Sequence, residues 1–497
     1  MTHLLHRLSP WLLAATLLTG CGSAVINPVS GQAERSVMSE QDEVTQGAQA
    51  HQQVLQEYGV VRDARVQTYV NNLGQRLAKL SHRNQLQWHF TVLDSPEINA
   101  FALPGGYVYV TRGIMAYLQT EAELAGVIGH EIGHVTARHG AQRATRQQDA
   151  GLGVLAASVL GAVLESQGIS GAGRLASDLS QTAAAGYVAS YGRDQELQAD
   201  SLGAEYLARS AFDPRNMINV IGALKAQERF AQDQARAAGR AAPSGNSWLA
   251  SHPSNDQRLQ QITQLAAQYN GHYTSDEGRA RYQHITQGLA FGESADQGLT
   301  RGQNFYHSDL GIALTAPAGW HIQNEPSQLA LVNAAGDAAL MVQVAPPKAG
   351  STHDEVIRNL LKPSQGRTER LSINGLNATR FVGSRASGQG QQAIEATLVT
   401  GPRQTVYVFT PAAKNAAALQ QARAAMAQAQ NSFRAMSAQD RSAAKPWTLQ
   451  ISSYPAGGFA QLAQHSPLPQ AEAQLRLING YYGGGEPRIG QPVKVVE

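Results

Sequence analysis

Apolar residues recur at helical spacing in the first part of the chain and alternate with polar ones further on. The stretch from Ser36 to about Leu80 predicts two helices, with one apolar stripe formed by Tyr69, Val70, Leu73, Leu77 and Leu80. Residues 86–93 and 107–111 predict strands, the second introduced by the flexible pair Gly105-Gly106. The pattern therefore predicts helices around a small sheet.

A third helix is predicted from Thr120, where Glu123 completes a capping box. Its apolar side carries Leu124, Val127, Ile128, Ile132 and Val135. Residues 194–209 predict another strong helix. These two helices carry the polar residues on which the functional prediction rests.

The pattern changes around residues 292–304, where we place a domain boundary. Short strands are predicted at 311–315, 329–333, 339–345, 378–382, 393–400 and 405–410, before a helix over 416–433. This predicts an α+β domain over residues 305–437. Its segments Gly311-Ile-Ala-Leu-Thr-Ala-Pro-Ala-Gly-Trp320 and Asn431-Ser-Phe-Arg434 resemble small sheet domains of the PsbP and Mog1 type.

The last residues, 445–497, form a predicted small C-terminal module. Leu475-Arg-Leu-Ile-Asn-Gly480 and Ile489-Gly-Gln-Pro-Val-Lys-Val495 resemble the second half of a LysM glycan-binding motif. That resemblance implies peptidoglycan as a partner.

Composition and charge indicate which classes of protein and partner the sequence favours. Apolar residues make up 42% of the 497 residues and charged residues 15%, a balance typical of globular domains. The 39 basic and 37 acidic residues are interspersed, and the net charge of +2 gives no reason to expect nucleic acid as a partner.

The N-terminus resembles a bacterial lipoprotein signal. Residues 1–20 have the layout of a secretory signal peptide, which ends Leu18-Thr19-Gly20-Cys21 like a lipobox. Cys21 is the single cysteine of the chain and the predicted lipidation site; the alternative is an ordinary cleaved signal with an incidental cysteine. Position 22 holds glycine and not the aspartate that signals inner-membrane retention in enterobacterial lipoproteins, which favours the outer membrane.

The composition of the Ala/Gly/Leu-rich segment Gly151–Gly173 favours a packed helix or a loop over a membrane span.

The sequence His130-Glu131-Ile132-Gly133-His134 is an HExxH motif. A spacing of four puts both imidazoles on one helix face, where they can share a zinc ion. A carboxylate at Glu131 can then take the proton of the attacking water as general base. The alternative without a metal site is a pair of surface histidines.

A catalytic zinc site needs a third protein ligand. Glu196 and Asp200 lie four apart on the predicted helix 194–209, so Glu196 is the candidate ligand and Asp200 the candidate partner of a ligand imidazole. Taken without the HExxH motif, the pair would be a solvated acidic face. His139 falls off the ligand face and is predicted as a surface or supporting residue.

Three segments together resemble the CAAX prenyl endopeptidase family of gluzincins, in its secreted bacterial branch: HExxH with the downstream ExxxD, the stretch from Asn99 to Val110, and Ser251-His-Pro-Ser-Asn-Asp-Gln-Arg258. The resemblance implies His130, His134 and Glu196 as zinc ligands, Glu131 as general base and Asp200 as supporting acid. His252 matches a family histidine that either lies on the metal and keeps the enzyme latent or stabilises the oxyanion.

The fold class predicted is α+β. It comprises a mainly helical zincin catalytic domain with a small sheet at residues 21–295, the strand-rich α+β domain and the C-terminal module. One Zn²⁺ per chain is expected. The predicted function is an endopeptidase in the periplasm, lipid-anchored at the outer membrane, that cleaves unfolded or misassembled envelope proteins. The alternative is a latent or noncatalytic chaperone and scaffold with a structural zinc site.

Overall fold

A computed structural model describes residues 23–27, 29–146, 148, 191–237, 252, 256–269, 271–274, 276–325, 328–387 and 390–497. The predicted signal peptide, Cys21 and the segment Gly151–Gly173 lie outside the described residues. None of the helices in the described part of the chain combines the length and apolar composition that a membrane crossing requires.

The first region, here called the helical domain, contains most of the helices that the sequence predicts. Its elements are β1 (Ser23–Ile26), β2 (Ala33–Ser36), α1 (Glu40–Tyr58), α2 (Ala64–Ala78), β3 (His89–Leu93), β4 (Ala100–Leu103), β5 (Tyr107–Thr111), α3 (Arg112–Tyr117), α4 (Glu121–Thr136), α5 (Arg193–Arg209), α6 (Asn216–Ala237), α7 (Asp256–Ala266), α8 (Arg279–Thr286) and β6 (Ala290–Phe291).

A three-stranded sheet lies beside the central helix of this domain. Its order is β3-β5-β4, with β3 parallel and β4 antiparallel to β5. The sequence pattern missed β4, which forms one edge of the sheet. Helix α4 begins at the predicted cap, where the Thr120 side chain accepts from the Glu123 amide, and every one of its residues is buried. A helix buried on all sides is a core element.

Helices α4 and α5 cross with their backbones close together. A Cβ atom on Gly133 would lie 2.9 Å from the carbonyl oxygen of Ala199, and one on Gly203 would lie 3.0 Å from the backbone nitrogen of His130. Only glycine at these two positions permits so close an approach. The crossing brings Glu196 and Asp200 of α5 against the histidines of α4.

Replacing Gly133 with alanine is expected to push the two helices apart. Overpacking at a tight crossing costs about 1–3 kcal/mol of folding free energy, and the affinity for zinc should fall because Glu196 moves with α5. Urea unfolding and zinc titration against a chelator measure the two effects. Gly222→Ala on α6 is the matched control, because nothing lies within 4 Å of its Cβ position; there alanine should stabilise the helix by roughly 0.5–1 kcal/mol. Equal behaviour of both variants would contradict the role of the crossing.

The second region is strand-rich, as predicted, and is here called the seven-stranded domain. Its elements are β7 (Leu299–Arg301), β8 (Asn304–His307), β9 (Ile312–Thr315), β10 (His321–Glu325), β11 (Gln328–Val332), β12 (Ala338–Val344), a 3₁₀ turn (Pro347–Ala349), α9 (His353–Val356), a π-helical turn (Ile357–Leu361), β13 (Gln365–Ile373), β14 (Leu376–Ser387), β15 (Gly390–Thr400), β16 (Val406–Ala413), α10 (Ala416–Asn431), β17 (Arg434–Ala435) and α11 (Ala438–Ala443).

The strands of this domain form two antiparallel sheets. The larger has the order β10-β11-β12-β16-β15-β14-β13, and the smaller β17-β9-β8-β7. Helix α10 packs on β12 and β16, and its residues Ala422, Met426 and Ala429 share a core with Phe305, Leu314 and Phe409. The α+β fold class predicted from the sequence is therefore confirmed.

The last segment contains β18 (Trp447–Ser453), α12 (Gly458–Ala463), α13 (Ala471–Ile478) and β19 (Pro492–Val496). β18 pairs with β19 and also with β6 of the helical domain. Its buried apolar residues belong to the same hydrophobic core as the helical domain, among them Leu449, Phe459, Leu475, Ile478 and Val496. The seven-stranded domain thus stands between two paired strands, as an insertion in the chain.

Lys494 of β19 is buried against the helical domain. Its ammonium donates to the carbonyl oxygens of Ala116 at 2.6 Å and Leu118 at 2.7 Å. Burial lowers the pKa of Lys494 to about 7, although the nearby Glu123 carboxylate opposes the shift. The contact fixes the C-terminal strand at the base of α4.

Stability should therefore depend on pH through Lys494. Between about 7 and the ordinary lysine pKa of 10.5, the unfolded chain holds one proton more at this site than the folded chain. The free energy of unfolding contributed by this group rises with pH across that window, by up to about 1.4 kcal/mol per pH unit. Urea unfolding at pH 7 and pH 9 of the parent and Lys494→Met measures it. The difference between the two proteins should change with pH, and a constant difference would contradict the assigned pKa.

Candidate metal centre

The site is assembled from α4, α5 and one residue between α6 and α7. His130, Glu131 and His134 lie on α4, and Glu196 and Asp200 lie on α5. The side chains of these five residues and of His252 are all buried. The structure thus brings together every site residue predicted from the sequence apart from Cys21, which lies outside the described residues.

Four of these side chains point their ligand atoms at one small volume. His130, His134, Glu196 and His252 each offer one such atom, and all four atoms lie within 4.8 Å of one another. The Nε2 atoms of His130 and His134 are 3.0 Å apart, and Nδ1 of His252 is 3.2 Å from Nε2 of His130. A Glu196 oxygen lies 3.4 Å from Nε2 of His134 and 2.9 Å from Nδ1 of His252.

This donor set fits a divalent transition metal. Imidazole nitrogens and a carboxylate oxygen are the ligands that zinc takes in catalytic sites built from two histidines and a glutamate. The ligand set is buried and lacks thiolate. His130, His134 and Glu196 are thus suited to hold the ion, with His252 placed as a fourth donor.

Arg258 and Asp200 form a charged layer behind the ligands. Asp200 Oδ1 lies 2.8 Å from Nδ1 of His130. The guanidinium of Arg258 donates to both Asp200 oxygens, at 2.6 and 2.7 Å, and lies 2.7 Å from an oxygen of Glu196. It also donates to the backbone carbonyl of His252 at 3.1 Å. One arginine thereby contacts three residues of the site, two on α5 and one in the segment before α7.

The sequence interpretation missed this role of Arg258. The residue stands six positions after His252 in the quoted segment, a signal that could have found it. Tyr191 was also missed; its ring stacks on that of His134 with centroids 4.0 Å apart.

His139 is buried and supports the site, because its Nδ1 lies 2.8 Å from Nδ1 of His134 and its Nε2 lies 2.9 Å from the Gln198 side-chain oxygen. Of the two places predicted for His139, the surface one is wrong.

The buried charges shift the protonation equilibria of the site. Burial lowers the pKa of His134 to about 4, which favours the neutral imidazole that a metal needs. Burial opposes ionisation of Glu196, but the imidazoles of His252 and His134 hold the pKa of Glu196 well below its ordinary value. Burial likewise opposes protonation of His252, while the Glu131 and Glu196 carboxylates raise its pKa.

Glu131 lies next to the ligand cluster rather than within it. Its Oε1 is 3.6 Å from Nε2 of His252, and its side chain is fully buried. A carboxylate beside a metal and outside its ligand set is placed to exchange a proton with water at the site.

A buried helix carrying HExxH, completed by a glutamate from a second helix, defines a metallopeptidase centre of the gluzincin type. Residues 64–266 match Peptidase family M48. The family resemblance predicted from the sequence is confirmed.

Several curated proteins are similar to this chain. A β-barrel assembly-enhancing protease of Yersinia pestis is 30% identical over 275 residues, 53% of this chain and 54% of that protein. Its namesake in Escherichia coli K12 is 32% identical over 210 residues, 42% of each chain. The mitochondrial metalloendopeptidase OMA1 of Arabidopsis thaliana is 34% identical over 139 residues, 28% of this chain and 26% of that one. The chain thus spans about half the length, or less, of these relatives.

A solved structure also resembles part of this chain. The solution structure of cyanobacterial PsbP from Synechocystis covers 28% of this chain and 98% of its own, at 14% identity and a TM-score of 0.21. A TM-score this low carries no conclusion, so the PsbP or Mog1 type stays a prediction for residues 305–437.

Proposed function

We propose that the chain is a zinc-dependent endopeptidase of the bacterial cell envelope that cleaves unfolded or misassembled envelope proteins. The observation that carries the proposal is the convergence of His130, His134 and Glu196, with Glu131 beside them, in a domain of family M48. The two bacterial relatives described as β-barrel assembly-enhancing proteases support the envelope as the place and its proteins as the substrates. The same proposal includes a lipid on Cys21, a location at the outer membrane and binding of peptidoglycan.

Each residue has a defined part in the reaction. A zinc ion held by His130, His134 and Glu196 would supply Lewis acidity and lower the pKa of a bound water. Glu131 accepts the proton of the attacking water and returns it to the leaving amine. Asp200 holds the tautomer of His130 through their 2.8 Å contact.

Strand β4 is the surface proposed for binding the substrate backbone. It is the edge of the sheet β3-β5-β4 and contacts α4, which carries the ligands. An extended peptide can add to such an edge through backbone hydrogen bonds. Pairing of this kind requires an unfolded segment, in agreement with the proposed substrates.

His252 is proposed to restrain the activity. Its ring lies among the metal ligands, where a fourth protein donor would take the place that a catalytic site keeps open for water. The same closed set of four donors favours the second candidate function, a noncatalytic chaperone or scaffold, because structural zinc sites are four-coordinate. The two functions differ in the effect of removing His252.

The test compares the parent and His252→Ala for bound zinc and for cleavage of unfolded casein. We expect both to bind zinc and to cleave only when zinc is present, with faster cleavage by His252→Ala because a position on the metal is released. The gain should be about tenfold or more, which corresponds to a decrease of about 1.4 kcal/mol in the activation free energy. Zinc binding without cleavage by either protein, on casein and on other unfolded substrates, would favour the scaffold. Slower cleavage by His252→Ala would instead assign His252 to the oxyanion.

A further inference from the structure

A cavity of about 540 Å³ lies between the helical domain and the seven-stranded domain, apart from the metal ligands. The end of α1 lines one side, and strands β8 to β12 and β16 line the other. The apolar part of its lining includes Leu55, Val60, Phe305, Ile312, Leu329 and Val344. Its size is that of a ligand site, for which about 300–1,000 Å³ is usual.

Two features show that the residues lining this cavity do not form a closed hydrophobic core. Val344 and Val60 both line the cavity and are 46% and 39% exposed, so part of its apolar lining is open to solvent. Tyr407 also lines the cavity and is only 2% exposed, yet its hydroxyl has no hydrogen-bond partner among the described residues. A buried hydroxyl without a partner costs about 1–3 kcal/mol.

The charge at the mouth favours a basic occupant. Of the residues that line it, Glu57, Asp94 and Asp296 are acidic and Arg62 is basic; Asp94 is paired with Arg112, and Asp309 lies beside Arg62. Arg62 lies 2.9 Å from an Asp296 oxygen and 3.3 Å from an Asp309 oxygen. The carboxylates outnumber the guanidinium, so a positive group at the mouth is attracted and an anionic headgroup is repelled.

One residue of the cavity wall contacts the strand beside the metal centre. Tyr58 lines the cavity, and its ring packs on Phe101 of β4 with centroids 6.0 Å apart. β4 is the edge strand at which the proposed function places the substrate backbone. A chain held in the cavity would thus lie next to the route to the cleavage site.

We propose that this cavity, here called the interdomain pocket, binds an apolar segment of an unfolded polypeptide client that is flanked by basic residues. The inference rests on the proposed function and names the kind of client. A peptide meets both requirements, with apolar side chains for the lining and lysine or arginine for the acidic mouth. The acidic headgroup of a fatty acid would instead face the carboxylates.

The test measures binding without catalysis. The full chain with Glu131→Gln is titrated against a fluorescein-labelled 15-residue peptide that has a Val-Tyr-Leu-Phe centre and two lysines on each side, with fluorescence anisotropy as the readout. A second peptide has glutamates in place of the lysines, and oleate serves as the lipid probe. We expect the lysine peptide to bind and the glutamate peptide to bind at least about tenfold more weakly, the effect of reversing a few charges at a partly screened mouth.

Two further variants locate the binding. Val344→Arg, added to Glu131→Gln, places a cation in the interdomain pocket and should weaken the lysine peptide at least about tenfold. Val382→Arg is the matched control, because Val382 is a valine in the same sheet, 36% exposed, and does not line the pocket.

The outcomes separate this proposal from the proposed function. Unchanged peptide affinity in Val344→Arg, or equal weakening by Val382→Arg, would overturn the interdomain pocket as the site. Binding of oleate with no binding of the peptide would overturn the polypeptide client. Either result leaves casein cleavage by the parent untouched, and a parent that cleaves nothing would reject the peptidase while peptide binding to the pocket is still measured.

Discussion

Replacing Glu131 with glutamine is expected to lower casein cleavage by about 10²- to 10⁴-fold, the usual contribution of a general base. Glutamine has nearly the same shape as glutamate but does not accept a proton at neutral pH. Because Glu131 lies next to the ligand cluster and is not one of its four members, bound zinc should stay at the parent level. The measurement is the initial rate of cleavage, normalised to zinc content.

The matched control for this variant is Glu205→Gln on α5. Glu205 pairs with Arg209 one turn away and is partly exposed, so its loss should cost no more than about 0.5 kcal/mol and leave the rate unchanged. If Glu131→Gln cleaves casein at the parent rate while it holds zinc, Glu131 is not the base. If Glu131→Gln loses zinc, Glu131 contributes to metal binding. The role assigned to it, a general base outside the ligand set, is then wrong.

Replacing Arg258 with methionine is expected to have the largest effect on stability. Arg258 is 3% exposed, and its guanidinium contacts the carboxylates of both Glu196 and Asp200. Without Arg258, the buried carboxylates of Glu196 and Asp200 lose a positively charged partner. This loss costs about 3–5 kcal/mol of folding free energy. Zinc should recover part of the loss, because a cation on Glu196 neutralises one of the two charges.

Urea unfolding with and without zinc measures both parts of this prediction. Arg215→Met is the control, because Arg215 is exposed and its pair with Asp213 is a surface one, worth about 1 kcal/mol or less. An Arg258→Met protein that unfolds within 1 kcal/mol of the parent would contradict the role of Arg258. So would a loss that zinc does not reduce.

The sequence was sufficient for the parts of the site that local spacing determines. HExxH requires two histidines one turn apart, and the Thr120 side chain, which accepts from the Glu123 amide, marks where their helix begins. Glu196 and Asp200 could be assigned because they also lie one turn apart on a strong helix. In each case the helical period alone decides which side chains share a face.

Contacts between distant segments could not be predicted in the same way. Arg258 is 58 residues from Asp200; its place in the segment Ser251–Arg258 drew attention to it, but helical spacing alone does not show that it is buried against Asp200. The close crossing of α4 and α5 depends on Gly133 and Gly203, which in the sequence look like ordinary helix glycines. The burial of Lys494 is likewise a tertiary property, since lysine in an amphipathic strand normally faces water.

The pairing of β18 with β6 has a consequence for how the protein is made. A ribosome releases the chain from its N-terminus, and domains fold as they emerge. The core around α4 includes Leu449, Leu475 and Val496, so it cannot close until the seven-stranded domain and the segment after it have left the ribosome. We therefore expect the metal centre to be the last part of the molecule to mature, which delays any proteolytic activity until the inserted domain has had time to fold.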